Sequence, residues 1–249
     1  MQGFLQKLQD TKVKQEVQLR YEVLSYYDLG EKIYFEGEDN EDDYQLSEFD
    51  NYGKSRKFKY CCDISEDDYK VLEETIESNK KIVAIGEIGL DYHWNKENKD
   101  KQREVFRRQL SLAEKFNLPV VIHTRDAIEE TYEILKEYKV RGVMHCFSGS
   151  YEMAKKFISL GFLLGIGGVV TFKNSKLYQV IEKVTLDNIV LETDSPYMAP
   201  EPVRGTTNES ANIPYIAERI AKIKKISTEE VGKITTRNAC MLFDLDSNL

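Results

Sequence analysis

The stretch IVAIGE at Ile82–Glu87 ends an apolar run on a glutamate, and three later segments repeat this pattern. Pro119–His123, Gly142–His145 and Ile189–Asp194 also close hydrophobic runs on an imidazole or a carboxylate. Each segment is typical of a buried strand that leads into a loop, and parallel α/β folds carry their chemistry at the carboxyl ends of the strands. Only a closed or strongly curved sheet would bring four such ends together. The pattern therefore predicts an α/β fold, a TIM-type (β/α) barrel.

Strands and helices alternate from Lys81 to the end of the chain. Apolar runs predict strands at Ile82–Ile85, Val120–His123, Gly142–His145, Phe162–Gly165 and Ile189–Glu192. Helical periodicity predicts helices at Asp100–Phe116, Ala127–Tyr138, Glu152–Leu160, Ser175–Val184, Ile213–Lys224 and Thr228–Asn238. Such an unbroken βα alternation favours a parallel sheet with helices packed outside it, either as a barrel or as an open sheet.

Length and composition predict one domain over residues 1–249. A chain of 249 residues suits a single barrel of roughly 250 residues. No apolar run approaches the roughly 18 residues that span a bilayer, and Met1–Asp10 has neither the basic start nor the apolar core of a secretion signal. We therefore expect a cytoplasmic protein with no membrane partner. Its cysteines are expected to be reduced thiols because they show no CxxC spacing: Cys61, Cys62, Cys146 and Cys240.

The first 80 residues break the regular pattern. They hold 11 Lys and Arg against 20 Asp and Glu, whereas residues 81–249 hold 24 against 23. Because residues 81–249 are nearly neutral, they can still bind the phosphate backbone of a nucleic acid, particularly where bound cations add positive charge. Weak patterns predict strands at Lys32–Phe35 and Phe58–Cys62 and a helix at Glu66–Asn79. The barrel is accordingly expected to be irregular or incomplete in its N-terminal third.

The four residues that end the apolar runs have the chemistry of a metal site. Glu87, His123, His145 and Asp194 form a mixed nitrogen and oxygen ligand set, which suits one or two divalent ions such as Zn, Mn or Mg. A carboxylate in such a site can also orient a water molecule or take its proton, so Glu87 and Asp194 are the candidate catalytic residues. A single histidine after a strand is more often a hydrogen-bonded core residue. Here, however, two of the three histidines in the chain lie at strand ends, and two further strand ends carry carboxylates. This combination favours the metal site.

The third histidine and the cysteine beside the site have other expected roles. His93 lies in a loop beside Trp94, where a surface or substrate-facing position is expected rather than ligation. Cys146 follows His145 directly, and adjacent strand residues face opposite ways. A nucleophilic thiol is therefore not expected.

Seven short motifs in the chain resemble the successive signatures of the TatD-like deoxyribonuclease family. The motifs are Gly86–Tyr92, Val121–Ala127, His145–Gly149, Glu192–Pro196, Pro200–Gly205, Asn208–Glu209 and Arg237–Ala239. The resemblance covers residues 58–245, whereas residues 1–57 match the family poorly. It implies an amidohydrolase-type barrel, a cytoplasmic enzyme, and metal-dependent hydrolysis of phosphodiester bonds with DNA as the substrate. The sequence itself gives no sign of an obligate protein partner.

The resemblance also implies roles for the candidate site residues. Glu87 would bridge two ions, His123 and His145 would hold one of them, and Asp194 would bind the other and handle the proton of the attacking water. Three further residues lie in loops after ligand-bearing strands, where side-chain donors can hold phosphate oxygens. These candidate substrate-binding residues are Arg125, Arg204 and Asn208.

The chain departs from the family pattern at its start. The family begins with a strand ending in a His-x-His pair, and this chain has no histidine before His93. Either the N-terminal third has diverged or a change of reading frame has replaced it, which the genomic sequence in three frames would decide. Three functions remain open: a nuclease with a partial metal site, a hydrolase of another amidohydrolase class, and a catalytically inactive or vestigial barrel.

Overall fold

The computed structural model describes the backbone of Glu22–Leu24 together with residues 66–93 and 98–245. The strands predicted at Lys32–Phe35 and Phe58–Cys62 lie outside the described residues. The amphipathic spacing of Leu5, Leu8, Val13 and Val17, which is compatible with a helix, lies outside them as well. The outcome of those predictions therefore stays open.

A single parallel sheet forms the centre of the described structure. Its strands are β1 (Glu22–Leu24), β2 (Ile82–Asp91), β3 (Val120–Arg125), β4 (Gly142–Met144), β5 (Phe162–Ile166) and β6 (Ile189–Leu191). All neighbours pair in parallel, and the spatial order of the strands is the order of the chain. Sequential parallel strands joined by helices are the arrangement of a (β/α) barrel.

Helices connect the strands and cover the outside of the sheet. They are α1 (Glu66–Ser78), α2 (Lys99–Phe116), α3 (Ile128–Leu135), α4 (Tyr151–Ser159), α5 (Leu177–Lys183), α6 (Ile213–Lys224) and α7 (Thr228–Leu242). Ser150 and Ser227 cap α4 and α7, because each hydroxyl accepts a hydrogen bond from a backbone N–H in the first turn. No helix of residues 66–93 and 98–245 is long and apolar enough to cross a bilayer.

The predicted strands and helices downstream of Lys81 are confirmed, with shifted ends. β2 runs six residues beyond its predicted end at Ile85, and α3 stops at Leu135 instead of Tyr138. The extension of β2 follows its pairing with β3, which continues to Asp91 and Arg125. The predicted helix at Glu66–Asn79 is confirmed as α1. β1 was not predicted, because three residues are too few for a recognisable alternation.

The main core lies between the sheet and the helices. One side chain in two along each strand points outward into this layer, as the pleat of a strand requires. Val120 and Ile122 of β3, for example, pack with Phe106 of α2 and with Phe157 of α4, and all four are fully buried. The intervening side chains point to the other face of the sheet, where the candidate site lies.

The inner face of the sheet has an apolar level and, further along the strands, a polar level. The apolar level packs against Leu242 and Phe243 at the end of α7. Its strand residues are Val121, Val143, Leu163 and Val190. Two residues further along the chain, the polar level consists of His123, His145 and Glu192, and the corresponding position of β5 is Gly165, which has no side chain. The period of two in a strand thus places the polar residues together at the carboxyl ends of the strands.

Candidate metal centre

The four predicted ligand residues come from four different strand ends. Glu87 lies within β2 and His123 within β3, while His145 follows β4 directly and Asp194 stands three residues after β6. Because these strands are parallel, all four residues lie at the same edge of the sheet. The side chains of the four are partly buried. The structure therefore brings the predicted residues to one place.

Direct contacts join the four side chains. Glu87 Oε1 lies 2.9 Å from His123 Nδ1 and 3.8 Å from His145 Nε2. His145 Nε2 lies in turn 3.3 Å from Asp194 Oδ1. Each imidazole thus turns one nitrogen toward an inner group of carboxylates formed by Glu87 and Asp194.

Two further carboxylates bind the outer nitrogens of the same imidazoles. Asp91 Oδ2 lies 3.0 Å from His123 Nε2, and Glu192 Oε2 lies 2.7 Å from His145 Nδ1. Sequence reasoning did not assign a role to Asp91 or Glu192. Their position beside strand ends was the available signal, because each follows an apolar run as closely as the predicted ligands do.

The backbone holds these outer carboxylates in place. Glu192 Oε1 accepts a hydrogen bond from Cys146 N at 2.6 Å, and Asp91 Oδ1 accepts one from His93 N at 2.9 Å. Cys146 adopts the left-handed conformation with a φ of 46°, which is uncommon for a residue other than glycine. Strained backbone of this kind is concentrated at functional sites.

The paired carboxylates raise the pKa of both imidazoles. Burial lowers the pKa of His145, but hydrogen bonds to Asp194 and Glu192 outweigh it and raise the pKa to about 11. Burial likewise lowers the pKa of His123, and hydrogen bonds to Asp91 and Glu87 raise it to about 9. Both rings therefore carry a proton on each nitrogen at neutral pH in the metal-free protein.

The same environment has opposite effects on Glu87 and on the neighbouring thiol. Burial raises the pKa of Glu87, but the hydrogen bond from His123 and the charge of His145 lower it overall. Burial and the nearby charges of Glu192 and Asp194 raise the pKa of the Cys146 thiol to about 12. A thiol that stays protonated at neutral pH is a poor nucleophile, which agrees with the expectation from the sequence.

The donor set has the chemistry of a site for a divalent ion, and its members also form hydrogen bonds with one another. Within residues 66–93 and 98–245 no three His, Cys, Asp or Glu side chains are already spaced around an ion. Ligands about 2.0–2.2 Å from one ion are separated from each other by roughly 3.0–3.5 Å. The inner contacts of 2.9, 3.3 and 3.8 Å fall close to that range. An outer carboxylate behind each imidazole is the usual arrangement of histidine ligands.

Two of the candidate substrate residues lie on the surface. Arg125 is exposed at the end of β3. Arg204 is also exposed, and its guanidinium stacks 4.2 Å from the ring centre of Phe172. His93 is exposed as expected, with Nδ1 3.2 Å from Asp126 Oδ2.

Asn208 lies in a loop after β6, as the sequence predicted, but its side chain is buried. Its side chain is 3% exposed, and its Nδ2 donates to the carbonyl oxygens of Thr193 and Tyr197 at 2.5 and 2.7 Å. Its Oδ1 accepts hydrogen bonds from Glu209 N and from Asn212 Nδ2. The amide is fully used inside the protein, so the structure gives Asn208 the role of holding the loop that carries Asp194 rather than of contacting phosphate.

Replacing Asn208 by alanine should destabilise the protein. The change leaves two buried carbonyl oxygens without their donor, and each such loss costs about 1–3 kcal/mol. We expect the free energy of unfolding in urea to fall by about 2–4 kcal/mol. Asn174→Ala removes the same group from an exposed position and serves as the control. Equal unfolding midpoints for the two variants would contradict the structural role of Asn208.

Comparison with protein-family models identifies one matching family. The model described as TatD related DNase matches residues 54–244. The matched region includes every strand from β2 to β6 and all the site residues. It begins upstream of Lys81, where the regular βα alternation begins, and also includes α1.

Proteins of similar sequence and structure agree with this match. The hydrolase YabD of Bacillus subtilis strain 168, named an uncharacterized metal-dependent hydrolase, is 46% identical over 188 residues, 74% of this chain and 73% of its own. YcfH of Escherichia coli K12 has the same description and is 42% identical over 67% of this chain and 64% of its own. The crystal structure of YjjV, a TatD homologue from Escherichia coli K12, superimposes with a TM-score of 0.69 at 30% identity. That superposition covers 74% of this chain and 72% of YjjV.

The parallel barrel, the imidazoles and carboxylates at its strand ends, and these relatives together define a metal-dependent hydrolase with a TIM-type fold. The fold predicted from the sequence is thereby confirmed. The chain belongs to the TatD family.

Proposed function

We propose that this protein is a deoxyribonuclease that uses divalent metal to hydrolyse phosphodiester bonds in DNA. The observation that carries the proposal is the position of each imidazole between an inner and an outer carboxylate at the carboxyl edge of the sheet. The family description as TatD related DNase supports DNA as the substrate class. The alternative, a catalytically inactive barrel, is less favoured.

Four residues would hold the ion: Glu87, His123, His145 and Asp194. A divalent ion bound there supplies a Lewis acid for the phosphoryl oxygen and lowers the pKa of a water molecule. The six side chains of the inner and outer groups include four carboxylates against two imidazoles. Even with both rings protonated, this group has an excess of negative charge, which favours a cation over an anionic side chain or ligand.

The protein's own side chains have separate tasks in this reaction. Asp194, about one third exposed, is placed to accept a proton from an attacking water at the mouth of the barrel. Asp91 and Glu192 fix the orientation of the two imidazoles from behind. Arg125 and Arg204, both exposed, can donate to the oxygens of a bound phosphate.

A direct assay tests the proposal. Purified protein is incubated with Mn²⁺, Mg²⁺ or Zn²⁺ and a labelled single-stranded or double-stranded DNA, and in parallel with a lactone and a cyclic amide. We expect cleavage of DNA that a chelator abolishes and that Asp194→Asn greatly reduces. Turnover of the lactone or the amide without cleavage of DNA would overturn the proposal and assign the chain to another class of hydrolase.

Replacing either Arg125 or Arg204 by alanine should weaken DNA binding. Each arginine that contacts a phosphate releases a counterion, so its loss should lower the salt dependence of log Kd by about one. Arg237→Ala is the matched control, because Arg237 has the same 56% exposure as Arg204. Arg237 pairs with Asp187, which precedes the amino end of β6, whereas the site lies beyond the carboxyl end of that strand. Identical salt slopes for all three variants would show that Arg125 and Arg204 do not contact DNA.

A further inference from the structure

Glu192 is the more buried of the two outer carboxylates, with a side chain 17% exposed against 28% for Asp91. It is not among the residues proposed to hold the ion, yet both of its oxygens have partners. Oε2 lies 2.7 Å from His145 Nδ1, and Oε1 accepts a hydrogen bond from Cys146 N at 2.6 Å. The side chain thus bridges a backbone N–H and an imidazole nitrogen of two consecutive residues.

Only a carboxylate satisfies both of these partners at once. The backbone N–H of Cys146 is a donor and cannot become an acceptor. If His145 Nδ1 also carries a proton, Glu192 faces two donors, and each needs an accepting oxygen. A glutamine of the same size has one accepting oxygen and one NH₂ group, so it can satisfy only one of the two.

The neighbouring strand leaves room for this carboxylate. A side chain at Gly165 would place its Cβ 2.7 Å from Glu192 Oε2 and 3.1 Å from the backbone oxygen of Met144. A Cβ at Gly167 would lie 3.5 Å from Glu192 Oε1, which is ordinary contact. The absent side chain at Gly165 is therefore what permits the observed position of Glu192.

We propose that Glu192, seated over Gly165 and held by the Cys146 N–H, is a positioning residue that keeps a proton on His145 Nδ1 and so reserves Nε2 for a metal ion. The proposal rests on the proposed function, because it requires that His145 binds metal. It goes beyond the proposed function because it assigns metal binding to Nε2 of His145 and a proton to Nδ1. It also attributes this arrangement to Glu192 and Gly165. His145 Nε2 is the nitrogen that faces Glu87 and Asp194, which agrees with this assignment.

Glu192→Gln should therefore reverse the proton positions of His145 in its neutral form. The glutamine oxygen must accept from the fixed Cys146 N–H, which leaves its NH₂ group toward Nδ1. Nδ1 then acts as acceptor, and the proton moves to Nε2, where it blocks metal binding. We expect the affinity for zinc to fall by about 10–100-fold, as is typical when an outer partner of a histidine ligand is lost.

Gly165→Ala tests the same geometry without altering any charge. The added methyl group must displace Glu192 from its position, and the fixed backbone of Met144 limits the space for relaxation. We expect a fall in zinc affinity in the same direction as for Glu192→Gln. Gly232→Ala makes the identical chemical change in α7, where a Cβ meets nothing within 4 Å, and Glu218→Gln neutralises a surface glutamate. Both controls should bind zinc as the unchanged protein does.

The experiment measures zinc affinity by competition with a chromogenic chelator, together with the imidazole N–H signals in NMR spectra of the full chain. The chain has three histidines, so these signals are few, and His145→Gln assigns the one of interest. The unchanged protein should show a hydrogen-bonded His145 Nδ1–H with and without zinc. This signal should be lost in Glu192→Gln and shifted in Gly165→Ala, while unfolding temperatures show that all variants are folded.

The possible outcomes separate this proposal from the proposed function. Zinc binding by the unchanged protein, with affinity retained in both Glu192→Gln and Gly165→Ala, would overturn the positioning role and leave the metal site standing. Zinc binding without DNA cleavage would overturn the nuclease assignment alone. A protein that binds no zinc would overturn the metal site and, with it, the role assigned here to Glu192.

Discussion

Replacement of Glu87 by glutamine should remove both metal binding and hydrolysis. Glu87 is the carboxylate that faces both imidazoles, at 2.9 Å from His123 Nδ1 and 3.8 Å from His145 Nε2. Loss of its charge takes away the only inner carboxylate that both rings share. Since loss of an outer partner already costs about 10–100-fold, we expect loss of this inner ligand to lower activity by more than about a hundredfold.

Activity on a labelled DNA strand and zinc content after dialysis measure this effect. Glu77→Gln is the control, because Glu77 is an exposed glutamate at the end of α1, which leads into the amino end of β2, whereas Glu87 lies further along that strand. A Glu87→Gln protein that retains zinc and cleaves DNA at the unchanged rate would refute the proposed ligand set.

Zinc affinity should rise steeply with pH. The pKa values of His123 and His145 are raised to about 9 and about 11, so each ring binds its extra proton throughout the neutral range. A metal ion must expel one proton from each ring, whereas Glu87 has a lowered pKa and is already ionised. The logarithm of the affinity should therefore rise by up to about two per pH unit, or roughly a thousandfold between about pH 6 and 7.5.

Rising pH should have the opposite effect on the folding stability of the protein without bound metal. The raised pKa values mean that the protonated imidazoles stabilise the metal-free protein fully below the ordinary histidine pKa of about 6.5. That stability is lost as the pH rises through about 9 and about 11. Competition titrations at several pH values test the prediction, with His93→Gln as a control that should keep the slope. A zinc affinity independent of pH would exclude both imidazoles as ligands.

Much of the fold was predictable because local sequence and packing impose the same pattern. Each strand from β2 to β6 has apolar residues facing the helices, and all of them except β5 carry or directly precede a polar residue of the site. The alternation of Val121 and His123 on the inner face is read directly from the period of two in a strand. The positions of Glu87, His123, His145 and Asp194 at one edge follow from the same parallel order.

The partners within the site were not predictable to the same degree. Asp91 and Glu192 were visible as acidic residues, but their distance from an imidazole depends on the register between neighbouring strands. Asn208 was interpreted as a donor to phosphate because it lies in a polar loop, whereas its amide is 3% exposed and bonds backbone oxygens. The sequence shows that a side chain can donate a hydrogen bond, but only the folded structure shows which acceptor it reaches.

The four proposed ligand residues come from different strands, so ion binding at this site depends on an intact sheet. Glu87, His123 and His145 can surround one point only while β2, β3 and β4 keep their register, and Asp194 adds the requirement that β6 is in place. An ion at this edge therefore has no comparable partner in the unfolded chain. At a free concentration one hundred times its Kd, such a ligand adds about 2.7 kcal/mol to the stability of the native state. An ion bound by these residues would thus also link distant parts of the sequence, and its removal should lower the stability of the protein as well as its activity.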